Sequence, residues 1–374
     1  MFYRVVTLPL YISANLSQFI TQIVKWRYPL KKLLLATAIA ALSVSAANAA
    51  PTVYGKAFLA ADYVNAEFDG PAGNMYDEDT IEINSHSSRI GFKGSEAMTA
   101  NTDVIYQLEY GTSIDGDSNG FKNRDTFLGV NNKQFGEFRV GKNQSSLDRI
   151  NNVATADGGY WNYLGSKASK DNMVESGRID NSMIWTAPKY QGLPLQLSAM
   201  YAADEDDNSG DGFGVAAMFD QGTGFTAGVA YDKDLNLGNG GYNQTGDIIR
   251  GTATVDLSKF AAVPVTLGAL YQVADFDFAD SEKEKGFVLS AAMGLQNFAK
   301  PATVYAQYNN TSNLRGFDGI DSDQIVVGGK YFYQPNMIVH AYAGQNDSDR
   351  DVRFDGVRGD TKTLAIGTGL EYKF

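Results

Sequence analysis

From residue 52 onward, apolar and polar positions alternate with a period of two, the pattern of a strand with one apolar face. Val53, Gly55, Ala57, Leu59, Ala61 and Tyr63 are apolar, and Lys56 and Asp62 fall between them. Val104, Tyr106, Leu108 and Tyr110 alternate with Asp103, Gln107 and Glu109. Val265, Leu267, Ala269, Tyr271 and Val273 interleave with Thr266 and Gln272, and the chain closes on Leu364, Ile366, Thr368, Leu370, Tyr372 and Phe374. About sixteen such segments are predicted, the first over 52–64, the second over 80–95 and the last over 361–374. No segment has the 3.6-residue period of a long amphipathic helix.

The connections alternate in length. NNKQFG, PKYQGL, QGTG and YQPN are short, whereas 65–79, 144–177, 232–244 and 346–360 are long and rich in Asp, Asn, Gly and Ser. A soluble sandwich has no reason to lengthen every second connection. A barrel across an outer membrane does, with turns on one side and loops on the other. Backbone groups in lipid must be paired within the protein, so strands cross only as a closed barrel. The predicted fold is therefore all-β: a transmembrane antiparallel up-and-down β-barrel of about sixteen strands. Tyr63, Tyr110, Tyr201, Tyr231, Tyr271, Tyr331, Tyr333 and Tyr372 stand near the ends of the apolar faces, where an interfacial girdle needs rings with polar tips.

Composition narrows the chemistry. The 374 residues hold no cysteine and only two histidines, His86 and His340, so thiolate chemistry is absent and histidine-based zinc or acid–base chemistry has little material. A net charge of −12 argues against a nucleic-acid partner. Lys31-Lys32, an apolar run and Ala47-Asn48-Ala49 follow one another as the parts of a secretory signal peptide, here 30–49. Residues 1–29 fit no part of such a peptide and read as an upstream extension; the barrel is 50–374. Removing 1–49 takes five of the 31 basic residues and none of the 43 acids, so the charge falls from −12 to −17.

VYGK at 53–56, SRIGFKG at 88–94, NRDTFLGV at 123–130, FGEFRVGK at 135–142, RIDNSMIWTAP at 178–188 and the terminal IGTGLEYKF together resemble the general porin family of Gram-negative outer membranes, over essentially all of 50–374. The resemblance implies a homotrimer of sixteen-stranded barrels in the outer membrane. Each would be a water-filled channel for passive diffusion of ions and small hydrophilic solutes. It implies that the long third extracellular loop, 144–177 here, folds into the lumen as a constriction. It implies neither an enzyme nor a cofactor or metal. A channel specific for small sugars or organic acids is the alternative function. The family also implies lipid and lipopolysaccharide contacts, and an assembly machinery that reads a C-terminal strand ending in Phe374.

Parity places Lys56, Arg89, Arg124 and Arg178 opposite the apolar positions Val53/Leu59, Ile90/Phe92, Phe127 and Ile179/Met183/Trp185. A Lys or Arg facing lipid at the midplane costs roughly 2–4 kcal/mol, so all four are expected to point inward; the resemblance puts a basic wall at the same positions. On the loop, Asp148 and Asp157 are the acidic candidates to face that wall, and Tyr160 and Trp161 are candidates to fill the neck. The acidic stretches at 204–211 and 347–351 lack the full ligand spacing of a calcium loop and read as solvated loops.

Overall fold

The computed structural model describes residues 50–71, 73–116, 120–153, 156, 159–161, 172–175, 177–189, 193–204, 211–236, 245–350 and 358–374. The segments expected as extension and signal peptide, 1–29 and 30–49, lie outside the described residues, as does Asp157.

The strands are β1 (Thr52–Gly70), β2 (Gly73–Ser85), β3 (Arg89–Thr99), β4 (Thr102–Gly111), β5 (Lys122–Asn132) and β6 (Gly136–Gln144). They continue with β7 (Arg178–Thr186), β8 (Leu195–Ala202), β9 (Gly212–Asp220), β10 (Phe225–Asn236), β11 (Thr245–Asp256) and β12 (Val265–Phe276). The last are β13 (Glu284–Leu295), β14 (Ala302–Ser312), β15 (Ser322–Gln334), β16 (Met337–Arg350) and β17 (Gly359–Lys373). Each pairs antiparallel with its neighbour, and β17 returns to β1 in the register Leu59↔Leu370, so the sheet has no free edge. β2 and β3 both pair with β1 and are halves of one strand, interrupted at 86–88 where Ser87 takes φ 53°. The barrel thus has sixteen staves, wide enough for a lumen.

The predicted alternation holds along most staves. Leu59, Tyr63, Leu108, Leu267, Tyr271, Ile366 and Leu370 are exposed on the outer surface, while Asp62, Glu109, Gln272 and Glu371 are buried inside. Outer tyrosines at the loop end donate to an aspartate on, or just before, the next strand: Tyr63 to Asp79, Tyr201 to Asp211, Tyr231 to Asp247 and Tyr308 to Asp323. Each pair marks where the apolar band ends, ring toward hydrocarbon and hydroxyl toward water.

The structure corrects three expectations. The long connection at 65–79 is mostly strand: β1 runs to Gly70 and β2 begins at Gly73. Polar cross-strand bonds such as Asn65 to Asp77, at 3.0 Å, carry the hairpin on. Above the bilayer a strand no longer needs an apolar face, so polarity there does not signal a loop. Second, Phe127 faces the lumen at 7% exposure, and its neighbour Leu128 faces out at 62%. A bulge sets Arg124 and Asp125 together opposite the single residue Glu109, which shifts the parity by one. Third, Ile179 is buried in one cluster with Ile184, not on the outer face with Met183 and Trp185. Asp180 and Asn181 form a second bulge opposite Lys142, with Asn181 at φ 50°.

Candidate functional site in the barrel lumen

The described residues of the connection between β6 and β7 lie along the inner wall. A short 3₁₀ turn, Ser146–Ile150, buries Leu147 and Ile150 with Ala216, Ala230, Ile248 and Ala274 of β9 to β12. Thr252 donates to the carbonyl of Ile150 at 3.0 Å, and a Cβ on Gly228 would overlap Ile150, so the wall is glycine where the turn meets it. Farther on, the Ala156 amide donates to Gln307 Oε1 at 3.2 Å, and the Trp161 indole donates to the Ala365 carbonyl at 3.0 Å. On the return, Asn172 donates to Gln324 at 2.8 Å, and the Val174 amide to Glu284 at 2.7 Å. Glu175 pairs with Arg250 at 2.6 Å, both buried. The described residues of the segment pack on β9 to β17, and Tyr160 and Trp161 also on Phe58 and Val64 of β1.

The wall from β3 to β7 carries the arginines. Lys56 and Arg89 are direct cross-strand partners. Arg89 lies 3.5 Å and Arg124 2.6 Å from Glu109, which also accepts from the Tyr54 hydroxyl at 3.0 Å. Arg178 pairs with Asp125 at 2.8 Å. The bulge that overturns the parity of Phe127 is what turns both Arg124 and Asp125 inward. Lys56 leans the other way, to 4.0 Å from Glu371, a carboxylate also held by Lys373 at 2.9 Å and His340 at 3.4 Å. The basic wall therefore carries its own counter-charges, Glu109 and Asp125. Neither was singled out in the sequence, although Glu109 sits on the polar face of a cleanly alternating strand.

The loop candidates separate. Asp148 lies in the turn between the buried Leu147 and Ile150; burial raises its pKa, against the pull of Arg178 and Arg250. Tyr160 and Trp161 are packed behind the segment, in a cluster with Phe58, Val64, Tyr305, Val326 and Tyr342. They anchor the chain to the wall and do not line open space: Trp161 is 0% exposed. Beside them Asp62 accepts from Tyr342 at 2.6 Å and from Asn84 at 2.7 Å, and lies 3.2 Å from His86. This network joins three strands behind the loop. Burial raises the Glu175 carboxyl to about 7, opposed by Arg250 and reinforced by Asp148 and Asp232. Among the described residues no group of three or more acidic or histidine side chains is arranged to hold a metal.

A closed antiparallel barrel with an apolar outer band, a tyrosine rim and a charged, uneven lumen is the architecture of an outer-membrane channel. The chain belongs to the Gram-negative porin family, whose model matches residues 36–351. It is 26% identical to the major outer membrane protein P.IB of Neisseria lactamica, over 92% of this chain and 100% of that one. A match to the P.IB of Neisseria sicca is 30% identical over 49% of this chain and 50% of that one. The fold is similar to that of an anion-selective porin from Comamonas acidovorans, with TM-score 0.68, 16% identity, and 87% and 100% of the two chains covered. The protein is a channel of the outer membrane for passive diffusion of small solutes, not an enzyme.

Proposed function

We propose that the channel narrows where the 144–177 connection faces Lys56, Arg89, Arg124 and Arg178, and that ions and small hydrophilic solutes are sorted there by charge and size. What supports this is the anchoring of that connection to the β9–β17 side, opposite the arginines. Opposed fixed charges across a water-filled neck set up a transverse field in which a polar solute aligns and an apolar one disturbs ordered water. The protein works as a homotrimer, in contact with lipid and lipopolysaccharide. Residues 30–49 direct export, 1–29 are an upstream extension, and Phe374 presents the terminal strand to the assembly machinery.

The test is single-channel recording in a salt gradient. Replacing Lys56, Arg89 and Arg124 by Glu should move the reversal potential clearly toward cation preference. The same change at the exposed lysines Lys133, Lys259 and Lys283 should move it much less, because charges beyond about 8–10 Å are screened. Equal shifts would refute the neck assignment and leave the barrel reading intact.

A further inference from the structure

The two rims of the outer wall differ in charge. At the loop end the outer tyrosines meet aspartates, and Asp69, Asp360 and Asp349 stand side by side across β1, β17 and β16. At the other end, three of the short connections each carry an exposed lysine beside an exposed phenylalanine: Lys133 with Phe135, Lys259 with Phe260, and Lys300 with Phe298. Lys189 and Leu193 make a similar pair on the connection after β7. Phe135 is 72% exposed, Phe260 63% and Phe298 57%, so these rings touch whatever surrounds the barrel. Such rings are costly in water and stable at a bilayer interface. The lysine beside each can lay its stem on apolar surface and hold its ammonium at headgroup level.

The acids at the turn end do little to cancel these lysines. Asp220 and Asp256 accept from the amides of Gly222 and Ser258 within their own turns. Glu137 and Glu371 pair with Arg139 and Lys373. Glu96 and Asp103 stand by the β3–β4 turn, which carries no lysine. Lys133 spends one of its three donors on the Ala100 carbonyl, at 2.8 Å. The Trp185 indole, on the outer face of β7, donates to the Phe135 carbonyl at 2.7 Å and lies directly across from Phe138 of β6. That bond ties the Lys133 turn to the wall at the edge of the apolar band.

We propose that the turn-end rim is a docking surface for anionic phospholipid, whose headgroups gather at Lys133, Lys189, Lys259 and Lys300 while the exposed rings sit at the top of the acyl layer. Each lysine acts by itself, and no two need to meet on one lipid. Lysines at a membrane surface attract anionic headgroups within about a Debye length. A zwitterionic headgroup carries its own cation and gains less. The aspartate rim at the loop end disfavours the same lipid, so the two ends of the barrel suit different leaflets. The inference rests on the lipid contact proposed above and names its headgroup class.

The experiment reads Trp185 fluorescence in a W26F W161F background, where it is the only indole of the chain. The protein is reconstituted in phosphatidylcholine, and quenching by phosphatidylglycerol with brominated chains is compared with quenching by brominated phosphatidylcholine. The ratio gives the relative affinity for the two headgroups beside Trp185. It should be about fivefold in favour of phosphatidylglycerol, the preference that one lysine near the membrane surface supplies, and should fall toward one in about 0.5 M salt. K133Q/K189Q should bring it near one at low salt, K133R/K189R should keep it, and K283Q, at the loop end, should leave it unchanged. Three results overturn the inference: a ratio near one in the parent, an unchanged ratio in K133Q/K189Q, or a K133R/K189R that loses the preference as fully as K133Q/K189Q. Quenching by neither lipid would place Trp185 outside the bilayer and remove the lipid contact together with the inference. Should K133Q/K189Q fail to assemble, the salt titration of the parent decides, and a ratio indifferent to salt overturns the inference.

Discussion

Trp161 donates its indole N–H to the carbonyl of Ala365 at 3.0 Å, across 204 residues of sequence. The ring is fully buried, and a Cβ on Gly344 would collide with it, so β16 carries a glycine where the indole lies. This contact fastens the far end of the inserted connection to the wall near the barrel seam. Truncation to Ala should cost that anchorage about 3–5 kcal/mol, while the strand ladders remain whole. Trp161→Ala should therefore raise the entry of larger sugars in a liposome-swelling assay, with little change in the temperature at which the barrel unfolds. Trp161→Phe, which keeps the ring packing and loses one hydrogen bond worth about 1 kcal/mol, should have a smaller effect of the same sign.

Glu109 is shared by Arg89 and Arg124. Removing its charge leaves two inward guanidiniums without a counter-ion, whereas removing either arginine leaves the carboxylate with the other. The couplings are unequal, and single changes should not add. Glu109→Gln should shift the reversal potential toward anions by more than Arg89→Gln shifts it toward cations. A unit charge several Å from the ion path acts by roughly 1–4 kcal/mol at intermediate effective dielectric, so the shift is well within measurement. Identical magnitudes for the two variants would mean that the wall charges act independently.

The barrel, its strand count and most of its inner and outer faces were legible because lipid enforces a period of two wherever a strand crosses it. Val53, Leu59 and Tyr63 follow the rule, and so do Ile366 and Leu370. What could not be read were the departures from it. The bulges at Arg124–Asp125 and Asp180–Asn181 each insert one residue and move Phe127 and Ile179 to the other face; nothing in their composition announces this. The extension of β1 and β2 through 65–79 was hidden for a related reason, since its polar strands sit beyond the hydrocarbon. Arg149 stood beside Asp148 in the sequence, and the burial of its Nε without a hydrogen-bond partner among the described residues is a property of the folded neck alone.

Glu175 gives a pH dependence whose sign can be worked out. Burial lifts its folded pKa from 4.5 to about 7. Between those two values the folded state keeps a proton that the unfolded chain has released. Stability from this group is therefore present at low pH and declines as pH rises from about 4.5 toward 7. The full shift corresponds to at most about 3 kcal/mol, and pairing with Arg250 opposes it. Arg250, Asp148, Asp232 and Glu284 surround the group, and Glu175→Gln should remove its share of the slope while keeping the side-chain shape. The check is the unfolding temperature of the detergent-solubilised protein between pH 5 and 7.5, with both proteins measured together. An unchanged slope in the variant would show that Glu175 stays ionised beside Arg250 throughout.

Phe374 helps close the barrel seam through backbone hydrogen bonds to Gly55. Its amide donates to the Gly55 carbonyl at 3.1 Å and its carbonyl accepts from the Gly55 amide at 2.9 Å, while its ring occupies the space that a Cβ on Gly55 would need. The outward ring also stacks with Tyr372, with centroids 6.3 Å apart. Deleting Phe374 removes two seam hydrogen bonds, each worth about 0.5–1.5 kcal/mol, together with an apolar contact at the membrane edge. Folded yield, read as the heat-modifiable fraction on a gel, should fall clearly on deletion and little for Phe374→Tyr. Gly55→Val, which drives a side chain into the ring, should resemble the deletion. Seam closure and recognition by an assembly machinery then separate by where the defect appears. If refolding into detergent from denaturant is impaired as much as assembly in cells, closure accounts for the residue. If the deletion refolds normally in detergent and fails only in cells, the side chain is being read by another protein, and the Gly55→Val variant, with its terminal Phe intact, should be the better assembled of the two in vivo.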